Sequence, residues 1–176
     1  HDRIPAYDSV ETPERPYVHF GPSISSGKTY DRVEGLSILF GPAVTVESKD
    51  FALEGSAYLI ARTARNFSTS EPAGGHDARL AMRFGPEKAF GLDGRLYDVV
   101  TPIEGWQLTE PEQGLATFLL HRDYRDYYAK HGGRIGASWT LNQKASFAAG
   151  YALERWSSVD QEDPFTLFRE GARWRP

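Results

Sequence analysis

The clearest pattern in the chain runs from Gly132 to Trp156, GGRIGASWTLNQKASFAAGYALERW, where apolar positions alternate with polar or small ones on both sides of Asn142-Gln143-Lys144. Period-two alternation around a tight polar turn predicts a β-hairpin with two unlike faces. One face carries Ile135, Ala137, Trp139 and Leu141, then Ala145, Phe147, Ala149, Tyr151 and Leu153. The other carries Arg134, Gly136, Ser138 and Thr140, then Ser146, Ala148, Gly150, Ala152 and Glu154. Soluble sheets alternate too. Here the polar face is small residues with isolated charges and the apolar face ends in aromatics, which is how a strand pair of a membrane barrel reads.

The same period organises the preceding chain. Residues 1–30 are rich in Pro, Ser, Asp and Gly, and predict an irregular lead-in with room for one short strand at Tyr17-Val18-His19-Phe20. From Val33 onward, Leu36, Ile38, Phe40, Val44 and Val46 oppose Ser37, Gly41, Thr45 and Glu47, with a bulge expected at Pro42 because proline cannot donate to a ladder. After a turn at Ser48-Lys49-Asp50, Phe51 to Arg62 sets Phe51, Leu53, Ala57 and Leu59 against Glu54, Ser56, Tyr58 and Arg62. A polar loop, NFSTSEPAGG, follows. Asp77 to Phe84, a turn at Gly85-Pro86-Glu87-Lys88, and Phe90 to about Val100 complete the alternating segments before the hairpin. The connection from Thr101 to His131 predicts a helix from about Glu110 into Tyr127. Thr109-Glu110-Pro111-Glu112 fits a capping box, Leu115, Phe118 and Leu119 form an apolar stripe, and Gly132-Gly133 can end it.

Two regularities favour a membrane barrel. Connections alternate between short (48–50, 85–88, 142–144) and long (65–75, 101–131, after 157), as in barrels with short turns on one side and loops on the other. Phe51, Phe84, Phe90, Trp139 and Phe147 all fall on the apolar face beside a short turn, as an interfacial girdle requires. Glu47, Glu54, Arg62, Asp77, Arg79, Arg83, Asp93, Arg95, Arg134 and Glu154 take the opposite, lumen-facing parity; Asp98 and Arg155 break it near the long-loop rim. The fold class expected is therefore all-β: an antiparallel meander of six strands over residues 31–176, forming an outer-membrane-type barrel or part of one, with one helix in a long loop.

Composition narrows the picture without redirecting it. A chain of 176 residues suits one domain. A mean hydropathy of -0.51, with no run near the roughly 20 apolar residues of a spanning helix, excludes a helical membrane protein and leaves a barrel open. No cysteine is present, and a net charge of -4 offers no footprint for nucleic acid. No initiator Met or apolar signal region opens the chain at His1, so a processed or excised piece is expected.

Tyr30-Asp31-Arg32-Val33-Glu34-Gly35-Leu36 resembles the opening of a bacterial outer-membrane barrel domain of the surface-antigen type. His121-Arg122-Asp123-Tyr124-Arg125-Asp126-Tyr127-Tyr128 and Pro164-Phe165-Thr166-Leu167-Phe168-Arg169 are similar to later segments of such barrels. The Val-Arg-Gly-aromatic loop signature of the assembly and secretion branch is absent. The resemblance implies location in the bacterial outer membrane, with the lipid bilayer, other envelope proteins or the rest of the same chain as partners, and transport or assembly as the activity class.

Candidate chemistry is sparse. Charges inside a small barrel more often pair across strands than line a conduit. His121, Asp123 and Asp126 could ligate a metal, yet on one helix His121 and Asp126 would not share a face, and Asp160, Glu162 and Asp163 lack the spacing of a calcium loop. No nucleophile elbow or phosphate loop occurs, so neither metal nor cofactor nor catalysis is expected. Two alternatives stand beside the membrane barrel: a soluble β-barrel or sandwich binding a small apolar ligand, and a barrel-borne lipid hydrolase using His121 with Ser157. The helix, being amphipathic, is expected to pack over or into the barrel mouth. The cluster Tyr124, Tyr127 and Tyr128, with Asp123 and Asp126, would then reach Arg134 and Arg155.

Overall fold

A computed structural model describes residues 16–26, 30–65, 74–103, 109–142, 145–160, 162, 164–168 and 174. They form one antiparallel sheet in simple meander order, with strands β1 (Tyr17–Ser26), β2 (Ser37–Glu47), β3 (Phe51–Arg62), β4 (Gly75–Phe84), β5 (Phe90–Pro102), β6 (Tyr127–Asn142) and β7 (Ala145–Ser158). One helix, α1 (Glu110–Leu120), lies between β5 and β6. Each strand pairs only with its sequence neighbours, so the sheet is open at β1 and β7 among the described residues.

Among the described residues seven strands, not six, make the meander. β1 runs ten residues into the stretch expected to be irregular, placing Val18, Phe20 and Ile24 on one face and His19, Ser23 and Ser25 on the other. Its Pro22 lies directly opposite Pro42 of β2. Two opposed prolines can exchange no N–H···O bonds, and the loss falls where it does least harm. Among the described residues β1 has no neighbour beyond it, and the β2–β3 ladder lapses at Gly41 and Pro42. The expected bulge at Pro42 is absent, because Phe40↔Leu59 and Ala43↔Ser56 keep one register across the gap. Gly41 lies so close to β3 that an added Cβ would sit 1.8 Å from the Ala57 carbonyl oxygen.

The short connections lie at one end of the sheet, at 48–50, at the 3-10 turn Pro86–Lys88 and between β6 and β7; residues 143 and 144 of that last turn are outside the described set. The longer connections, between β1 and β2, β3 and β4, and β5 and β6, join strand ends at the other. Most of the NFSTSEPAGG loop, Asp163 and Arg169 are also outside it.

α1 starts as the sequence indicates, with the Glu112 carboxylate accepting from the Thr109 backbone N–H (3.2 Å) and hydroxyl (2.8 Å). It stops earlier than expected. His121 takes a left-handed conformation (φ 53°) and Arg122 N–H closes onto the Ala116 carbonyl (3.2 Å). Gly132 and Gly133 end no helix; they lie inside β6, where an added Cβ on Gly132 would meet the Leu153 carbonyl oxygen at 2.1 Å. The expected stripe is only partly covered: Phe118 packs on the Tyr30 and Phe165 rings and Leu119 is half-buried, but Leu115 is 58% exposed, and the fully buried side chains of α1 are Gln113 and Thr117.

Candidate functional site

The register sorts the side chains into two faces. Ser56↔Arg79↔Arg95↔Arg134↔Ala152 form one row across β3 to β7, and Glu54↔Ala81↔Asp93↔Gly136↔Gly150 form the next. Asp77 pairs with Tyr97, Arg83 with Gly91, and Gly132 with Glu154, so Glu54, Arg62, Asp77, Arg79, Arg83, Asp93, Arg95, Arg134 and Glu154 all share one face. That face is concave. Tyr58 donates to Ser23 Oγ across β2 (3.1 Å), Tyr97 donates to Glu154 across β6, and a hollow of about 430 Å³ lies between Thr45, Glu54, Arg79, Asp93, Arg95 and Arg134.

Most of these charges are paired. Asp77, buried, takes Arg79 (2.6 Å) and Arg95 (2.7 Å) together; Lys130 meets Glu154 at 2.8 Å, and Arg134 stands 3.8 Å from Asp93. Lys88 reaches Glu47 at the turn end. At the opposite end Arg62 bonds Glu34 (2.6 Å) and the Gly74 carbonyl (2.9 Å).

The other face is convex and apolar. Phe51↔Phe84↔Phe90↔Trp139↔Phe147 form a single cross-strand row beside the short turns, with Phe84–Phe90 and Phe90–Trp139 rings stacked at 5.8 Å. Above it come Leu53/Met82/Leu92/Ala137/Ala149, then Gly55/Leu80/Gly94/Ile135/Tyr151, then Ala57/Ala78/Leu96/Gly133/Leu153. Large members of every row face solvent, Ile135 at 66% and Phe147 at 62% exposure. In β4 to β7 the next row changes character, to His76↔Asp98↔His131↔Arg155.

A compact cap sits at the long-connection end, built from residues 30–35, α1, 121–126 and 164–168. Its centre is Asp123, whose carboxylate accepts from Arg32 N–H (3.0 Å), Gln113 Nε2 (2.6 Å), Arg125 N–H (3.0 Å) and the Tyr127 hydroxyl (3.0 Å). Arg32 also bonds Asp126 at 2.8 Å. Asp31 folds its own loop by accepting from Val33 (2.9 Å) and Glu34 (2.7 Å) N–H groups, with Gly35 at φ 64° closing the turn. Burial, reinforced by the nearby Glu34 charge, pushes the Asp31 carboxyl up to about 7 against the pull of those two N–H groups. Burial likewise raises the Tyr30 hydroxyl, which donates to the Phe165 carbonyl. α1 joins the C-terminal segment through Leu167 N–H to Phe118 O (2.9 Å) and Phe168 N–H to Leu119 O (3.1 Å).

The helix therefore packs on loops, and Asp123 and Asp126 reach Arg32 rather than Arg134 or Arg155. Sequence reasoning missed Arg32, Glu34 and Gln113. The Asp31-to-Gly35 spacing was a readable turn signal for the first two. Tyr124 is exposed, and Tyr128 stacks on Trp156 at 4.7 Å. His121 is buried against Trp174 (3.6 Å between ring centres), with Nδ1 at 3.2 Å from Thr166 Oγ. Its Nε2 and the Gln113 side-chain oxygen find no hydrogen-bond partner among the described residues. Ser157 is not among the bonded partners of His121. Among the described residues no group of three His, Asp or Glu side chains is placed to hold a metal ion. Among the described residues no helix is long and apolar enough to cross a membrane, which says nothing about strands. No protein family, no curated protein and no solved structure matches the chain.

Proposed function

We propose that this chain is a non-enzymatic outer-membrane β-barrel segment of the surface-antigen type, with its convex face against lipid and its capped, charged concave face forming part of an envelope conduit or assembly surface. One observation carries the reading: four successive cross-strand rows of apolar and glycine residues face outward unburied, and the first is aromatic throughout. Water would penalise that area at roughly 25 cal/mol per Å². A bilayer removes the penalty, while the ladder satisfies the backbone polar groups between the strands. The paired charges of the concave face fit a polar interior. In this reading the cap narrows access from the long-loop side.

A variant keeping only Trp139 tests it. Reconstituted into vesicles containing brominated lipid, its fluorescence should be strongly quenched. A monodisperse protein without detergent, with Trp139 unquenched, would instead make the sheet a soluble barrel or sandwich wall.

A further inference from the structure

The polar row on the convex face is the feature that the membrane reading leaves unused. His76, Asp98, His131 and Arg155 are register neighbours on β4 to β7, directly beyond the Ala78/Leu96/Gly133/Leu153 row. From Phe84 in the aromatic row to His76 is eight residues along β4. At about 3.4 Å per residue and a tilt of about 40°, that spans roughly 21 Å across a bilayer, close to the ~25 Å apolar band of such barrels. With the aromatic row at one interface, the polar row lies at headgroup depth on the other.

The row is a cluster, not a scatter of surface charges. The His76 and His131 rings meet edge to face at 6.0 Å, crossing over Asp98 of the strand between them. Asp98 is 23% exposed and stands 3.8 Å from His131 Nδ1, while the His131 side chain is 60% exposed. The carboxylate is thus tucked in and the His131 imidazole turned out, with His76 half-buried beside it. Arg155 is exposed and forms no ion pair among the described residues. A hollow of about 540 Å³ runs alongside, lined by Asp98, His131, Arg155, Ser157 and Ser158.

On the membrane reading above, we propose that His76, His131 and Arg155 form a site for the phosphate of a lipid headgroup in the leaflet on the long-connection side. A guanidinium offers a planar fork of donors suited to phosphate oxygens, imidazole N–H groups add further donors, and serine hydroxyls line the same hollow. A lipid is the source rather than a free anion because the row continues the apolar wall without a break, so one molecule can lay its chains on Leu96 and Leu153 and its phosphate on Arg155.

The test uses the full chain in detergent micelles with lipid retention read by native mass spectrometry. Phosphatidic acid should be held about tenfold more tightly than diacylglycerol, which differs by the phosphate alone. Arg155→Gln with His131→Gln should abolish most of that preference, and Arg155→Lys should keep part of it. Equal retention of the two lipids, or an unchanged preference in the double variant, overturns the site. So does inorganic phosphate displacing the lipid at comparable concentration, which would mark a soluble-anion site. Quenching of the variant that keeps only Trp139, in vesicles containing brominated lipid, separates the two readings. Quenching kept without phosphate preference sinks this site alone, and absence of quenching in the variant that keeps only Trp139 sinks both.

Discussion

The sheet's convex wall and its cap are stabilised by opposite means. The wall has almost no interior. Of the buried apolar residues Val33, Ala52, Ile60, Ala61, Tyr97 and Val100, only Ala52 lies near the short turns. Elsewhere the strands are held by their ladders, with Leu80, Leu92, Leu96, Ile135 and Leu153 turned outward. The cap has an interior made of polar groups: Asp31, Arg32, Glu34, Gln113, Thr117, His121, Asp123, Arg125 and Thr166 are all buried. In the proposed reading the wall has an apolar solvent outside it, whereas a polar interior needs its internal hydrogen bonds intact. On the proposed membrane reading one chain would serve two media, and the boundary between wall and cap runs near the ends of β3 to β6.

Damage to the Asp123 hub should have the largest effect. Asp123→Ala leaves four donors without their buried acceptor, and should cost the cap about 3–5 kcal/mol. Hydrogen-exchange protection should fall in 109–126 and 30–35 and persist in β3 to β5. Loss in the strands as well would show that wall and cap are one cooperative unit.

Next in size is a charge placed on either face of the wall. Arg at Leu80 or Ala137 should cost roughly 2–4 kcal/mol of folding stability in bilayers, and Arg at Ala81 or Ala148 markedly less. Assembly yield into vesicles measures the difference, and equal damage on both faces would remove the asymmetry claimed for the wall.

The smallest effect is a pH dependence confined to the cap. The Asp31 carboxyl is raised in the folded state, so its stabilising contribution is complete below about 4 and is lost as pH rises through about 7. Asp31→Asn can keep the acceptor for the Val33 and Glu34 N–H groups without the charge. Its cap should therefore resist proteolysis better than wild type at pH 8, with the advantage shrinking toward pH 4. An advantage independent of pH would assign the effect to something other than this carboxyl.

The wall was legible in the sequence because one rule governs it. With period two fixed, Phe51, Phe84, Phe90, Trp139 and Phe147 could each be placed beside a turn, and the ladders put them in one row. β1 was obscured by Gly21-Pro22 between Phe20 and Ile24, a break made tolerable by Pro42 opposite and an open edge beyond. The cap followed no period. Gln113 and Thr117 are buried because Asp123 lies ten residues later in sequence and beside Gln113 in space, a pairing that helical spacing does not encode. Of the expected stripe of Leu115, Phe118 and Leu119, Phe118 packs on the Tyr30 and Phe165 rings while Leu115 is left exposed, because the rest of the surface that α1 meets is polar.

The meander's strand count also dictates how its rim can be joined. In an antiparallel succession every second strand points the same way, so β1 and β7 share a direction. Joining those two edges to each other would create a parallel seam in an otherwise antiparallel cylinder, with slanted and slightly weaker hydrogen bonds. An all-antiparallel circumference needs an odd number of strands laid between Ala145–Ser158 and Tyr17–Ser26. Each would have to carry the same outward-apolar, inward-polar beat as its neighbours.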